Sequence, residues 1–214
     1  MQGPGGSPLY VQYGCGMSGP TGWRNFDSSP TLRFERIPLI GRLYTKNERR
    51  FPPTVEVGDI VKGLPLAPES CRVVYCSHVL EHLALEEFRI ALRQTAKILE
   101  PGGVFRLVVP DLEYYARQYL GASTPEAAQN FLLETRLGRE SRKRSLRGFL
   151  GSWLGGGEHL WMWDYRSIRK ELADAGFVEI RRAKFGDSPD PMFREVEEVG
   201  RWENCLGVEC RKAK

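Results

Sequence analysis

Val73-Val74-Tyr75-Cys76-Ser77 and Val104-Phe105-Arg106-Leu107-Val108-Val109 are short apolar runs on either side of a stretch, about Leu85 to Leu99, with helical spacing. Runs of this length, rich in β-branched residues, read as strands. Between them Leu85, Phe88, Leu92 and Leu99 fall on one helical face, and Glu100-Pro101-Gly102-Gly103 is the stop signal. Strand, helix and strand in this order make the βαβ unit of a parallel sheet, so the fold class is α/β. Leu9–Tyr13 is a further apolar run upstream. Downstream, Asp164 is a candidate N-cap for a helix that buries Ile168 and Leu172 and stops at Gly176, where a left-handed residue fits. Phe177–Phe185 and Cys205–Cys210 read as closing strands.

The 214 residues, 41% hydrophobic and 27% charged, fit one globular domain spanning 1–214 with a core of ordinary size. No apolar run approaches the roughly 18 residues that span a bilayer. Met1–Pro8 lacks the basic start and apolar core of a secretory signal, so the expected location is cytoplasmic. Five cysteines without a Cys-x-x-Cys pair argue against a disulfide framework. Cys205 and Cys210, five apart in a strand, point to opposite faces and are poorly placed to share a zinc ion.

Leu112–Gly157 interrupts the strand sequence as a helical insertion, with Thr124-Pro125-Glu126 as a helix start and Gly138 as a stop. Arg136, Arg139, Arg142, Lys143, Arg144 and Arg147 cluster there, either as a solvated face or as a surface for a phosphate-bearing substrate. Beside them Leu146, Phe149, Leu150, Trp153 and Leu154 keep helical spacing and run into Gly155-Gly156-Gly157. That segment reads as a packed amphipathic helix, a hinged lid, or a weak membrane-surface or dimer contact through 142–154.

Tyr10-Val11-Gln12-Tyr13 feeds directly into Gly14-Cys15-Gly16, a turn that lets bare backbone approach a ligand. The breaker-rich Met17–Gly22 follows and leaves no room for a helix before Asp27. Asp27 is either a ribose-binding acid or a turn cap with Ser28 and Ser29. Asp59, beside Ile60, is either an acceptor for an exocyclic amine or a plain turn residue.

Gly14-Cys15-Gly16, Asp27, Asp59-Ile60, Ser77-His78-Val79-Leu80-Glu81-His82-Leu83, Ile98-Leu99-Glu100-Pro101-Gly102-Gly103 and Gly176-Phe177 occur in an order that resembles class I S-adenosylmethionine-dependent methyltransferases, type 11 in particular. The resemblance implies a Rossmann-like, mostly parallel seven-stranded sheet with helices on both faces, an antiparallel final hairpin and the insertion after strand 5. It implies S-adenosyl-L-methionine as cofactor, with Gly14, Cys15 and Gly16 at its amino-acid part and Asp27 at its ribose. Asp59 and Ile60 would hold the adenine, while Ser77 and His78 close the pocket.

His78 and His82 lie four apart, but Glu81 does not directly follow the first histidine as the zinc-protease pattern H-E-x-x-H requires, so no metal is expected. Methyl transfer needs mainly alignment of donor and acceptor. For a hydroxyl acceptor a base helps, and the candidates are His159 and Asp111. His159, flanked by Trp161 and Trp163, equally suits an aromatic anchor, and Asp111 equally suits a helix cap. The expected acceptor is a small molecule or glycan, with no nucleic-acid signal. The other readings are a methyltransferase fold that binds without catalysing and a nicotinamide dehydrogenase, the latter disfavoured because the third glycine of G-x-G-x-x-G is missing.

Overall fold

The computed structural model describes residues 9–39, 41, 49–138 and 158–214. The basic and apolar positions beyond Gly138, the three glycines at 155–157 and Met1–Pro8 lie outside the described residues.

Seven strands form one sheet: β1 (Leu9–Tyr13), β2 (Arg24–Asp27), β3 (Val55–Val57), β4 (Cys71–Ser77), β5 (Leu99–Pro110), β6 (Phe177–Ala183) and β7 (Cys205–Lys212). Their order is β3-β2-β1-β4-β5-β7-β6, parallel from β3 through β5 and antiparallel at β5–β7 and β7–β6. The α-helices among the described residues are α1 (Pro30–Glu35), α2 (Leu85–Ile98), α3 (Leu112–Gly121), α4 (Ala127–Glu134) and α5 (Tyr165–Asp174). None of the helices among the described residues is long and apolar enough to cross a membrane.

The expected α/β core is present. Alternate residues of β1 and β4 face opposite ways, as a period of two demands. Val11, Tyr13, Val74 and Cys76 join Phe88 and Leu92 of α2 and Ile168 and Leu172 of α5 in the main core. On the opposite face Val73 and Tyr75 pack with Trp23, Phe193 and Val196. β1 and β2 are joined without a helix, and Trp23 from their loop meets Phe193 of the short 3₁₀ turn Pro191–Glu195, ring centroids 5.9 Å apart. Cys210 lies in the main core and Cys205 packs on the other cluster, so the two thiols point apart as their spacing requires.

Several boundaries differ from the sequence pattern, among them β6, which ends at Ala183, and β7, which runs on to Lys212. β5 begins at Leu99, because Leu99 pairs with Cys71 before the Pro-Gly-Gly bend instead of ending the helix. α4 ends at Glu134, ahead of Gly138, whose amide bonds back to the Leu132 carbonyl at 2.9 Å. Asp164 caps α5 through the Ser167 amide at 2.8 Å, and Gly176 closes it with φ +89°.

One charge sits inside the sheet. Arg106 of β5 is fully buried and donates to Glu197 at 2.5 Å, to Asp187 and Glu209 at 2.9 Å each, and to the Lys184 carbonyl at 2.7 Å. Its guanidinium carbon lies 4.7 Å from the Trp202 ring centroid and 5.3 Å from that of Phe193. Burial opposes ionisation of Asp187, but hydrogen bonds from Arg181, the Lys184 amide and Arg106 hold its carboxyl down at about 2. A carboxyl lowered on folding adds stability above its unfolded value, about 3.9, and loses it as pH falls toward the folded one. The melting temperature is therefore expected to fall between about pH 4 and pH 2, and to fall less over that range in Asp187→Asn. Melting curves across that range check this, and equal slopes in the two proteins would exclude Asp187 as a contributor.

Candidate active site

The carboxyl ends of β1 and β4 frame a cavity of about 330 Å³, lined among others by Gly14, Cys15, Ser77, Gln12 and Arg201. The glycine turn is shaped by its contacts. Gly14 (φ +65°) presses so closely on Val79 that a Cβ there would lie 1.9 Å from Val79 Cγ2, whereas a Cβ on Gly16 (φ +54°) would meet nothing within 4 Å. Bare backbone thus borders open space at Gly16. Burial, reinforced by nearby Asp27, pushes the Cys15 thiol up to about 12, and the Cys15 amide donates to the Phe26 carbonyl at 3.1 Å.

Asp27 ends β2 almost fully buried. Its Oδ2 accepts the Gly16 amide at 3.0 Å and its Oδ1 the Ser29 amide at 2.8 Å, so one carboxylate ties the turn to the second strand. A carboxylate has about four acceptor sites, so two remain for ligand hydroxyls. Its own carbonyl accepts from the Gly58 amide at 3.0 Å, which brings Asp59 and Ile60 to the neighbouring strand end. Asp59 accepts from the Val61 amide at 3.0 Å, and the Ile60 side chain is buried in the core.

Ser77 and His78 part company. Ser77 turns to the cavity, where Arg201 donates to its Oγ at 3.0 Å and to its carbonyl at 2.6 Å. His78, held in a left-handed conformation (φ +54°), faces away with Nε2 2.9 Å from the Arg201 carbonyl and Nδ1 3.3 Å from Glu81 Oε1. Burial works against its charge, yet hydrogen bonding with Cys205, Glu81 and the Arg201 carbonyl carries its pKa up to about 10.

Of the two candidate bases, Asp111 caps α3 through the Glu113 amide at 2.9 Å, with Arg182 at 3.7 Å. His159 is nearly buried, its ring 5.0 Å from that of His82 and its Nε2 4.0 Å from Glu81. Burial lowers its pKa despite the Glu81 charge.

Sequence reasoning passed over Gln12 and Arg201. Gln12 carried a signal, a polar side chain in an apolar run; its amide donates to Asn25 at 2.6 Å and reaches Ser18, bracing the turn. Arg201 carried none, because it ends a short 3₁₀ turn, Val199–Arg201, between β6 and β7.

The sequence matches the profile of a methyltransferase domain over residues 19–181, a span that holds Asp27, Asp59 and the Ser77–Leu83 motif. The chain belongs to the methyltransferase-domain family. No curated protein matches it in sequence. Among solved structures, this methyltransferase domain is similar to a Haloferax volcanii protein in complex with the Trm112 methyltransferase activator, at 17% identity and TM-score 0.52, covering 97% of this chain and 83% of that one. It is also similar to a Thermotoga maritima SAM-dependent methyltransferase at 17% identity and TM-score 0.51, again covering 97% and 83%. Identities this low speak for the fold alone, and that fold is the α/β sheet expected from the motifs.

Proposed function

We propose that this methyltransferase moves the methyl group of S-adenosylmethionine onto a small-molecule or glycan-type acceptor. The observation that carries the reading is the junction of Asp27 with the Gly14–Gly16 turn beside the Ser77 and Arg201 cavity. The residues fit the cofactor: a turn whose backbone borders open space at Gly16, a buried carboxylate with acceptor sites left over, and a guanidinium in the cavity wall.

When bound, S-adenosylmethionine supplies a methyl group already activated by its sulfonium, so the protein has to orient and to exclude water. In this reading Gly14, Cys15 and Gly16 line the amino-acid end and Asp27 accepts from the ribose hydroxyls. Asp59 and Ile60 border the adenine, while Ser77 positions Arg201 at the cavity wall and His78 braces Arg201 from behind. Asp111 is engaged as a cap, and His159 acts within its cluster with His82 and Glu81, not as a free base.

Calorimetry with S-adenosylhomocysteine tests this directly. Micromolar binding is expected for the unaltered chain, and Asp27→Ala is expected to weaken it about 100-fold, since hydrogen bonds to a charged group contribute roughly 1.5–3 kcal/mol each. Absence of binding to the unaltered, folded chain would leave a methyltransferase fold that no longer uses the cofactor.

A further inference from the structure

All three histidines of the chain surround one carboxylate. Glu81 is fully buried, and apart from the His78 ring 3.3 Å from Oε1 its carboxylate oxygens have no hydrogen-bond partner among the described residues. A bare buried carboxylate is costly unless it is paired or coordinates a cation. His78 lies to one side at ion-pair distance. On the other, His82 Nε2 and His159 Nε2 stand 3.9 and 4.0 Å from Glu81 Oε1, and one ligand atom from each of the three residues lies within 4.8 Å of the other two. Two donors at about 2.1 Å from a tetrahedral ion are roughly 3.4 Å apart, so the two contacts to Glu81 close by about half an ångström and no pair of the set has to close by more than about 1.4 Å.

The surroundings prepare one of these donors. His82 Nδ1 lies 2.7 Å from the Glu158 carbonyl. A carbonyl only accepts, so Nδ1 carries the proton and Nε2 offers its lone pair, the arrangement that orients most metal-bound histidines. His159 is brought from far along the chain by backbone bonds, the Leu160 and Trp161 amides donating to the Glu81 carbonyl at 2.8 and 3.1 Å. The local His78–His82 string holds only two of the three ligands, and the third, His159, is not local. His82 is partly exposed, which gives an ion a route in.

We infer that Glu81, His82 and His159 form a site for one divalent first-row transition-metal ion. Two imidazoles and a carboxylate suit such ions better than calcium or magnesium, and three protein ligands leave coordination positions open. The inference does not depend on the methyl-transfer reading, because metal binding is read without cofactor or acceptor.

The test uses the full chain, untagged and stripped with a chelator, titrated with Co²⁺ alone. One equivalent is expected to bind with visible ligand-field bands and a higher melting temperature. His82→Ala and Glu81→Gln are expected to lose affinity at least tenfold while keeping the circular dichroism of the unaltered chain. Should His159→Ala fail to fold, His82→Ala, at a partly exposed position, still decides the matter. No binding by the folded chain, or binding unchanged in both His82→Ala and Glu81→Gln, would overturn the site and leave Glu81 paired with His78 only.

Discussion

Replacing Arg106 by Met is expected to lower the stability of the fold by about 3–5 kcal/mol, the usual cost of removing one partner from a buried ion pair. For a chain of this size that is a fall of roughly 6–20 °C in melting temperature. The loss would come less from missing attraction than from what remains: Glu197, as buried as Arg106 itself, would be left without its cation in a low-dielectric interior. Adding Glu197→Gln to Arg106→Met should therefore restore part of the stability, since it removes the stranded charge. Thermal or denaturant melts of the two single variants and the double variant decide it. A single variant within about 1 kcal/mol of the parent would show that the charge is solvated on mutation, contrary to the packing against Trp202 and Phe193. The effect should also reach the candidate active site. Glu197 lies between Val196 and Glu198, both in the cavity wall that holds Arg201, so Arg106→Met should weaken S-adenosylhomocysteine binding as well.

What was legible beforehand follows from how local each signal is. β1, α2 and α5 were readable because hydrophobic period, Asp164 and Gly176 all act within one element. The end of α2 was readable to one residue, but Leu99 belongs to β5, because pairing with Cys71 is a choice made by a neighbouring strand and not by the local sequence. The glycine turn and Asp27 were found separately, and the bond that joins Gly16 to Asp27 supplies the tertiary link between them. Arg201 could not be found, since nothing near it in sequence marks it and its role comes from contact with Ser77. Glu81 was visible as a residue and invisible as a site: its meaning depends on full burial and on His159, which arrives through contacts after the insertion.

Gly14→Ala and Gly16→Ala should fail in different ways, although both glycines lie in one turn with positive φ. Either alanine pays about 1–2 kcal/mol for the left-handed conformation. At Gly14 the new methyl also drives into Val79 at 1.9 Å, and overpacking of this kind adds roughly 1–3 kcal/mol. Gly14→Ala should thus lower the melting temperature by about 10 °C, near the middle of the combined cost at 2–4 °C per kcal/mol. Val79→Ala in the same chain removes the clashing Cγ2 and leaves Val79 Cβ at 3.2 Å, so it should recover the overpacking share but not the backbone share. A double-mutant cycle with no coupling between the two positions would rule the clash out. At Gly16 there is no protein atom to strike. Gly16→Ala should melt within a few degrees of the strain cost alone, yet bind S-adenosylhomocysteine at least tenfold more weakly, because its methyl enters the space proposed for the cofactor. Unchanged affinity in a folded Gly16→Ala protein would move the cofactor off this turn, even if the fold and the family remain as they are.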